Sequence, residues 1–546
     1  MQRSINLKHK PYVRNVALLL VLIIASAILP SCKEDDGSGY IFKMNIENNP
    51  QNLDPQMASD KESILIISNM MQGLVKELPS GAIVPAAAES FEMSDDGLVY
   101  TFYLHRDSVW DSLAEFSEPV TADDFLYAFQ RIFDPATRSP YMEDYAIIKN
   151  GNEVFRGIKN MDELGVKVLD DYTLEITLNY PYYDFLTLLS KTAAMPCSRS
   201  FFELSKGRYG VSAETAASNG AFYLKEWNFD PYWNNNYIIM RRNAAYSEKN
   251  YVYPYGLNFF IKGSTDSDRS DFLSDTVQCY LTDEYDENLF SVSSVCSASS
   301  KTAGLAFNIN SQYFGNERIR SALAASVNRE SYAPSLPPNL TVAYGIIPHS
   351  VTVQGKNYRD LMPDKTISVY NTEFAGLWAN ALKSAGIEAV DNVKITVSEN
   401  FSGTDMIYEL TDRWRSDLMF YCGVEIVSEN EYSEKLENGE YDIALIELGA
   451  EQNSAYEFLK NMTENPCFRG YANTEFMSDL AASASAVSLS SGAELLNNAE
   501  KAVIDDCMFV PLCYENEYLV YSADASDIGY YPFTDVVSFE KAKYFD

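Results

Sequence analysis

Hydrophobic positions change period repeatedly along the chain. Ile41 to Ile46 predicts a short strand, and Ile64, Ile67, Met71 and Leu74 then recur at helical spacing, predicting an amphipathic helix that ends near Gly73. Val99 to Leu104 is aromatic and β-branched after the turn Asp95-Asp96-Gly97, a strand signal. Thr121 opens a helix with Phe125, Ala128, Phe129 and Ile132 on one face, Asp124 as its box partner and Asp134-Pro135 as its stop. Two alternating runs around Asp170-Asp171, within Gly165 to Leu178, predict a hairpin. Strands are expected at Ala221–Trp227, Tyr237–Met240 and Lys394–Val397, and helices at Ile319–Val327 and at Phe374–Ala385, closed by Gly386. Ala481–Ser491 reads as one Ala/Ser-rich surface helix bounded by Gly492. Helix, glycine, strand in that order is the habit of α/β layers. No internal repeat and no interdomain linker of distinct composition interrupts the pattern.

The N-terminus stands apart. Arg3, Lys8, Lys10 and Arg14 precede an apolar run from Val16 to Leu29, shorter than the roughly 20 residues that span a bilayer, so residues 1–31 read as a secretory signal. Leu29-Pro30-Ser31-Cys32 resembles a bacterial lipobox, with Pro30 an uncommon residue at its place. Cys32 is then the expected lipidation site, its two acyl chains enough for stable anchoring, and residues 32–40 form a flexible tether. The expected location is the cell envelope, anchored to the membrane and facing away from the cytoplasm.

Composition narrows the function further. Beyond residue 31 there remain 38 Lys and Arg against 77 Asp and Glu. That surplus repels phosphate backbones and anionic headgroups, which argues against nucleic acid and against a polybasic membrane patch. Seven cysteines follow Cys32, an odd number with no C-x-x-C, so no pairing is specified. Only His105 and His349 follow the signal, each isolated, and no zinc, phosphate-loop, dinucleotide or nucleophile-elbow motif occurs. No metal, no cofactor and no catalytic residue is expected. With 38 Tyr, 29 Phe and 5 Trp, the chain has the means to line a ligand cleft, although most such residues belong to cores and sheet surfaces.

Ordered segments then add a family resemblance over the whole exported chain. Asn52-Leu53-Asp54-Pro55, Gln72-Gly73-Leu74-Val75 and Ile83 to Ser90 are followed by Tyr100 to Arg106, Pro119 to Phe125, Arg131 to Pro135 and Ser139-Pro140-Tyr141. Gly165 to Leu178, Ser218 to Phe222 with Trp227, Arg318 to Leu323 with Asn328-Arg329, Tyr471 to Phe476 and Val510 to Tyr514 continue the series. In this order they resemble the oligopeptide- and dipeptide-binding lipoproteins of ABC importers. The resemblance implies an α/β, two-lobed periplasmic-binding-protein-like fold, with an extra subdomain on the first lobe and a ligand cleft between lobes. It assigns 41–72, 197–302 and 512–546 to the first lobe, 73–196 to the extra subdomain and 303–511 to the second lobe.

The family's Trp-x-Ala-Asp-Tyr stretch, whose Asp holds a peptide's α-ammonium, falls on Leu448-Gly449-Ala450-Glu451-Gln452. Glu451 keeps the charge with a longer reach. By position, Ser59, Asp60, Tyr141, Asn219, Tyr280 and Leu281 match other cleft-lining segments. The family's compact turn after Trp110 is replaced by a loop, Asp111 to Glu118, that lacks its glycine. The implied function is non-catalytic: a monomeric, lipid-anchored subunit that captures oligopeptides and delivers them to membrane permease subunits driven by cytoplasmic ATPases. The altered stretch at Glu451 keeps other solutes open (a metal chelate, an opine, an oligosaccharide), as well as a peptide sensor without transport and, furthest from the pattern, a secreted hydrolase.

Overall fold

The computed structural model describes residues 39–545 except 114–115, 183, 233–234, 364–366, 368–369, 451 and 487. The expected signal segment, Cys32 and Glu451 lie outside the described residues, as does the tether up to residue 38. The main folded unit begins at Ile41.

Eleven strands form one sheet. In chain order they are β1 (Ile41–Ile46), β2 (Phe222–Asn228), β3 (Asn236–Arg242), β4 (Gly256–Ile261), β5 (Cys279–Thr282), β6 (Ser294–Phe307), β7 (Leu340–Val342), β8 (Val393–Ser398), β9 (Cys422–Val427), β10 (Ile443–Gly449) and β11 (Phe509–Tyr521). Across the sheet the order is β9-β8-β10-β6-β11-β5-β1-β4-β3-β2, with β7 added on β11. β1 runs parallel to β4 and β5, and β8 runs parallel to β9 and β10. The two groups are bridged by the long antiparallel ribbon of β6 and β11, in register from Ser294↔Tyr521 to Ala306↔Phe509. One end of the ribbon is flanked by β5, through Cys279↔Tyr521 to Thr282↔Tyr518. The other is flanked by β10, through Lys301↔Gly449 to Phe307↔Ile443. Between them the ladder shifts register at Ser299/Lys301, and it shifts again at Ala303/Gly304. An irregularity of this kind bends and twists a ribbon. On the far side of the first shift Lys301 already pairs with Gly449 and Glu515 with Leu340, so the two-stranded stretch just before it is the candidate hinge.

The second lobe follows from strand periodicity. Ile443 and Leu445 point into one core with Ile395, Val397 and Trp414, while Ala444, Ile446 and Leu448 point into another with Phe458, Leu459 and Val503. A sheet with helices on both faces needs apolar side chains on both faces, which is why β10 reads as a continuous apolar run rather than an alternating one. In the first lobe a four-stranded sheet, Ala88–Met93, Val99–Leu104, Thr173–Thr177 and Val166–Asp170, carries the expected hairpin. Helix α1 (Lys61–Met70) stops three residues before Gly73, and helix α2 (Ala122–Phe133) opens with the expected box, Thr121 N–H donating to Asp124 Oδ2 at 2.7 Å. One expectation fails. Ala481–Ser491 is not one helix: a helix ends at Ala484, and another spans Leu489–Asp505 with Gly492 buried inside it. Ser488 accepts from Ser491 N–H and so starts the second helix, a cap that outweighs the glycine.

No helix among the described residues is long and apolar enough to cross a membrane. The seven described cysteines are unpaired.

Candidate functional site

Two cavities lie side by side, with Lys61, Tyr530 and Asp535 common to their walls. The first has a volume of about 560 Å³. Its walls include α1, the strand Val75–Glu77 of the short hairpin formed with Ile83–Pro85, the segment 187–195, and the C-terminal hairpin of Gly529–Tyr531 and Val536–Ser538. The second lobe contributes Gln452 and Asn453. Tyr531 joins the hairpins by donating its hydroxyl to Glu77 O at 3.1 Å.

Of the residues expected to line the cleft, Ser59, Tyr141 and Gln452 are brought together on this wall. Tyr141 donates its hydroxyl to Ala58 O, which fixes the loop carrying Ser59. Gln452 is buried, and its Oε1 has no hydrogen-bond partner. Gly449 ends β10, Ala450 packs against a second-lobe core, and both lead into the Gln452 loop. Asp60 acts locally, as the N-cap of α1, accepting from Ser63 N–H at 2.9 Å. Asn219 lies fully buried behind the wall rather than on it, where its amide clamps both backbone groups of Gln72 at 2.9 Å. Gln72 itself lines the cavity. Tyr280 and Leu281 line the second cavity.

Sequence reasoning missed Glu77, Lys191, Asn453 and the C-terminal hairpin. Burial pushes the Glu77 carboxyl up to about 7, against the pull of a hydrogen bond from Asn453 and the charge of Lys191. No local motif marks any of them, since the residues meet only through folding: Tyr531 and Glu77 are 454 positions apart.

Beside the cavity the lobes touch directly. Ser454 donates its hydroxyl to Asp184, and Tyr182 donates to Glu457 Oε1 at 3.3 Å. Burial raises the Asp184 carboxyl to about 6, opposed by the Ser454 hydrogen bond and reinforced by the charge of Glu457. Two glycines allow close backbone approach. A Cβ on Gly81 would sit 2.5 Å from Thr352 Cγ2, and one on Gly355 would sit 2.6 Å from Ala82 Cα; both glycines hold positive φ, +80° and +70°. Among the described residues no cluster of His, Cys, Asp and Glu is placed to hold a metal ion. The arrangement can enclose a ligand between two lobes, gripping it with amides, carboxylates and aromatic faces.

Solved structures share this architecture. The chain superposes with a TM-score of 0.73 on a periplasmic murein tripeptide-binding protein in its unliganded open form, at 20% identity over 93% of this chain and 98% of that one. On the Haemophilus influenzae oligopeptide-binding protein in complex with RPPGFSPFR the TM-score is 0.65, at 22% identity over 93% and 99%. In sequence, the dipeptide-binding protein of Bacillus subtilis (strain 168) is 24% identical over 512 residues, covering 90% of each chain. Residues 82–468, most of the chain, match the profile of bacterial extracellular solute-binding proteins, family 5 Middle. The chain therefore belongs to family 5 of the bacterial extracellular solute-binding proteins, which bind substrates for transporters and are not enzymes.

Proposed function

We propose that this protein is the peptide-capturing subunit of an ABC importer, held to the membrane by lipid on Cys32 and passing its ligand to permease subunits. The observation that carries the reading is the interlobe cavity, whose walls come from both sides of a two-stranded hinge. A relative described as dipeptide-binding, matched over nine-tenths of both chains, supports peptides as the ligand class. A ligand with variable side chains is best held by its backbone, which strand edges and side-chain amides such as Gln72, Gln452 and Asn453 can do. Closing the lobes removes water and strengthens each of those contacts. Peptide affinity for the closed arrangement then sets how far the equilibrium shifts toward it, and the closed form is what a permease would recognise. In this reading the first lobe comprises 41–72, 197–302 and 512–546, the subdomain 73–196 and the second lobe 303–511, with Glu451 beside Gln452 as the anchor for the α-ammonium.

Native mass spectrometry of the exported chain, purified from peptide-rich cells, tests this. The expected result is a ladder of released peptides, whose affinity falls about tenfold or more for Glu451→Gln as the charge-assisted bond is lost. A single non-peptide mass would instead identify a different solute.

A further inference from the structure

The second cavity, of about 640 Å³, sits at the C-terminal ends of β1 and β5, two parallel strands. That edge of an α/β sheet is where ligands are habitually received. Its charge is lopsided. Eight carboxylates line it against two cations, Lys61 and Arg269. Both cations are already engaged, Lys61 with Glu47 at 3.1 Å and Arg269 with Asp286 at 2.5 Å.

Two acceptors in this wall lack donors. Asn45, 4% exposed, gives both protons of its amide to Asp268 and Asp271 at 2.9 Å, and its Oδ1 has no partner. Glu517, on strand β11, interacts with the Ser300 and Tyr530 hydroxyls and reaches Lys301 only at 3.8 Å, and its Oε2 itself accepts no hydrogen bond. Burying such groups without donors is costly, and the wall therefore favours whatever brings positively charged N–H groups to it. Burial, and after it the charge of Asp535, holds the Glu517 carboxyl above its ordinary range; burial does the same to Asp535. The carboxylates are spread around a space with room for a long cationic side chain and water, and among the described residues none converge as a metal site.

We propose that this second cavity receives an organic cation, an ammonium or guanidinium group, from the ligand lying in the first cavity, so that the protein selects cationic peptides. The proposal rests on the peptide reading above. Asp535 and Tyr530, common to both cavities, form the threshold that such a group crosses.

Calorimetric titration of the whole exported chain tests it, using tripeptides of alanine with one lysine at each position, their norleucine counterparts and N-acetylated forms of both. At least one lysine peptide is expected to bind about tenfold or more tighter than its norleucine partner, the weight of a charged hydrogen bond. The double variant Glu517→Gln, Asp283→Asn, which neutralises two of the eight lining carboxylates, is expected to bring that ratio down toward one. If lysine and norleucine peptides bind alike while acetylation weakens both, and the double variant erases the effect of acetylation, the cavity holds the α-ammonium that every peptide carries, and both the selection of cationic peptides and the Glu451 anchor are overturned. If affinity is indifferent to lysine and to acetylation, or the double variant leaves every ratio unchanged, the inference is overturned while peptide capture stands. If no peptide binds, both fall.

Discussion

Glu500 is a fully buried acid of the second lobe. Its carboxylate pairs with Arg359 at 2.6 Å, both side chains essentially free of solvent, and also accepts from Ile346 N–H, Ile347 N–H and the Tyr358 hydroxyl. A buried pair of this kind adds little net stability, but removing one partner strands the other. Glu500→Ala is expected to cost about 3–5 kcal/mol in urea unfolding, and Glu500→Gln less, because the amide oxygen can still accept from the backbone. Several residues that carry the family resemblance are anchors of the same sort. Asp54 pairs with Arg131 at 2.8 Å, joining two of the quoted segments, and Arg329 donates to Ala343 O and Pro511 O. The resemblance is legible because it lies in such structural contacts. The ligand wall is less so: Gln452, Tyr141 and Ser59 are reached by position, but Asn219 proves to be a backbone clamp, and nothing local distinguishes Glu77 or Lys191 from solvated side chains.

At the scale of elements, period and capping give most of the strands and helices, because apolar spacing and end signals are local. Phe374–Ala385 ends at Gly386 with φ +68°, as its sequence announces. The break between Ala484 and Leu489 is hidden because alanine and serine continue smoothly into it and only the Ser488 cap marks the restart. How elements meet is decided elsewhere. Gly81 and Gly355 admit the hairpin of the first lobe to the hairpin Thr352–Val353/Lys356–Asn357 of the second. Gly355→Ala adds a Cβ against Ala82 Cα and places alanine at positive φ, a strain of about 1–2 kcal/mol. The expected outcome is faster hydrogen exchange at Thr352 N–H, which donates to Asn453 Oδ1 in this contact, with the second-lobe core unaffected.

For the whole molecule, the interlobe contact carries a pH dependence. Burial beside this contact pushes the Glu77 carboxyl up to about 7 and the Asp184 carboxyl up to about 6. A contact that holds protons more tightly than its separated halves is strongest in acid and is lost as pH rises through those values. Between pH 5 and pH 8 the ligand-free protein should therefore open, read as a larger radius of gyration in solution scattering. Asp184→Asn is expected to flatten the change, and a profile indifferent to pH in the unmodified protein would remove these two groups from control of the contact.

The hinge ribbon has one more consequence, and it concerns assembly in time. β11 lies between β6 and β5 and is ladder-paired with both, although it is residues 509–521, hundreds of positions after β5. A chain threading outward from its N-terminus can pair β1 with β4 and stack the helices of its later half, but the two groups of strands stay unjoined until Phe509–Tyr521 arrives. Until then β6 and β5 present open edges, the feature that invites mispairing between neighbouring chains. Shielding during export is thus a demand written into this topology, and the last long strand to emerge is the one that closes the sheet.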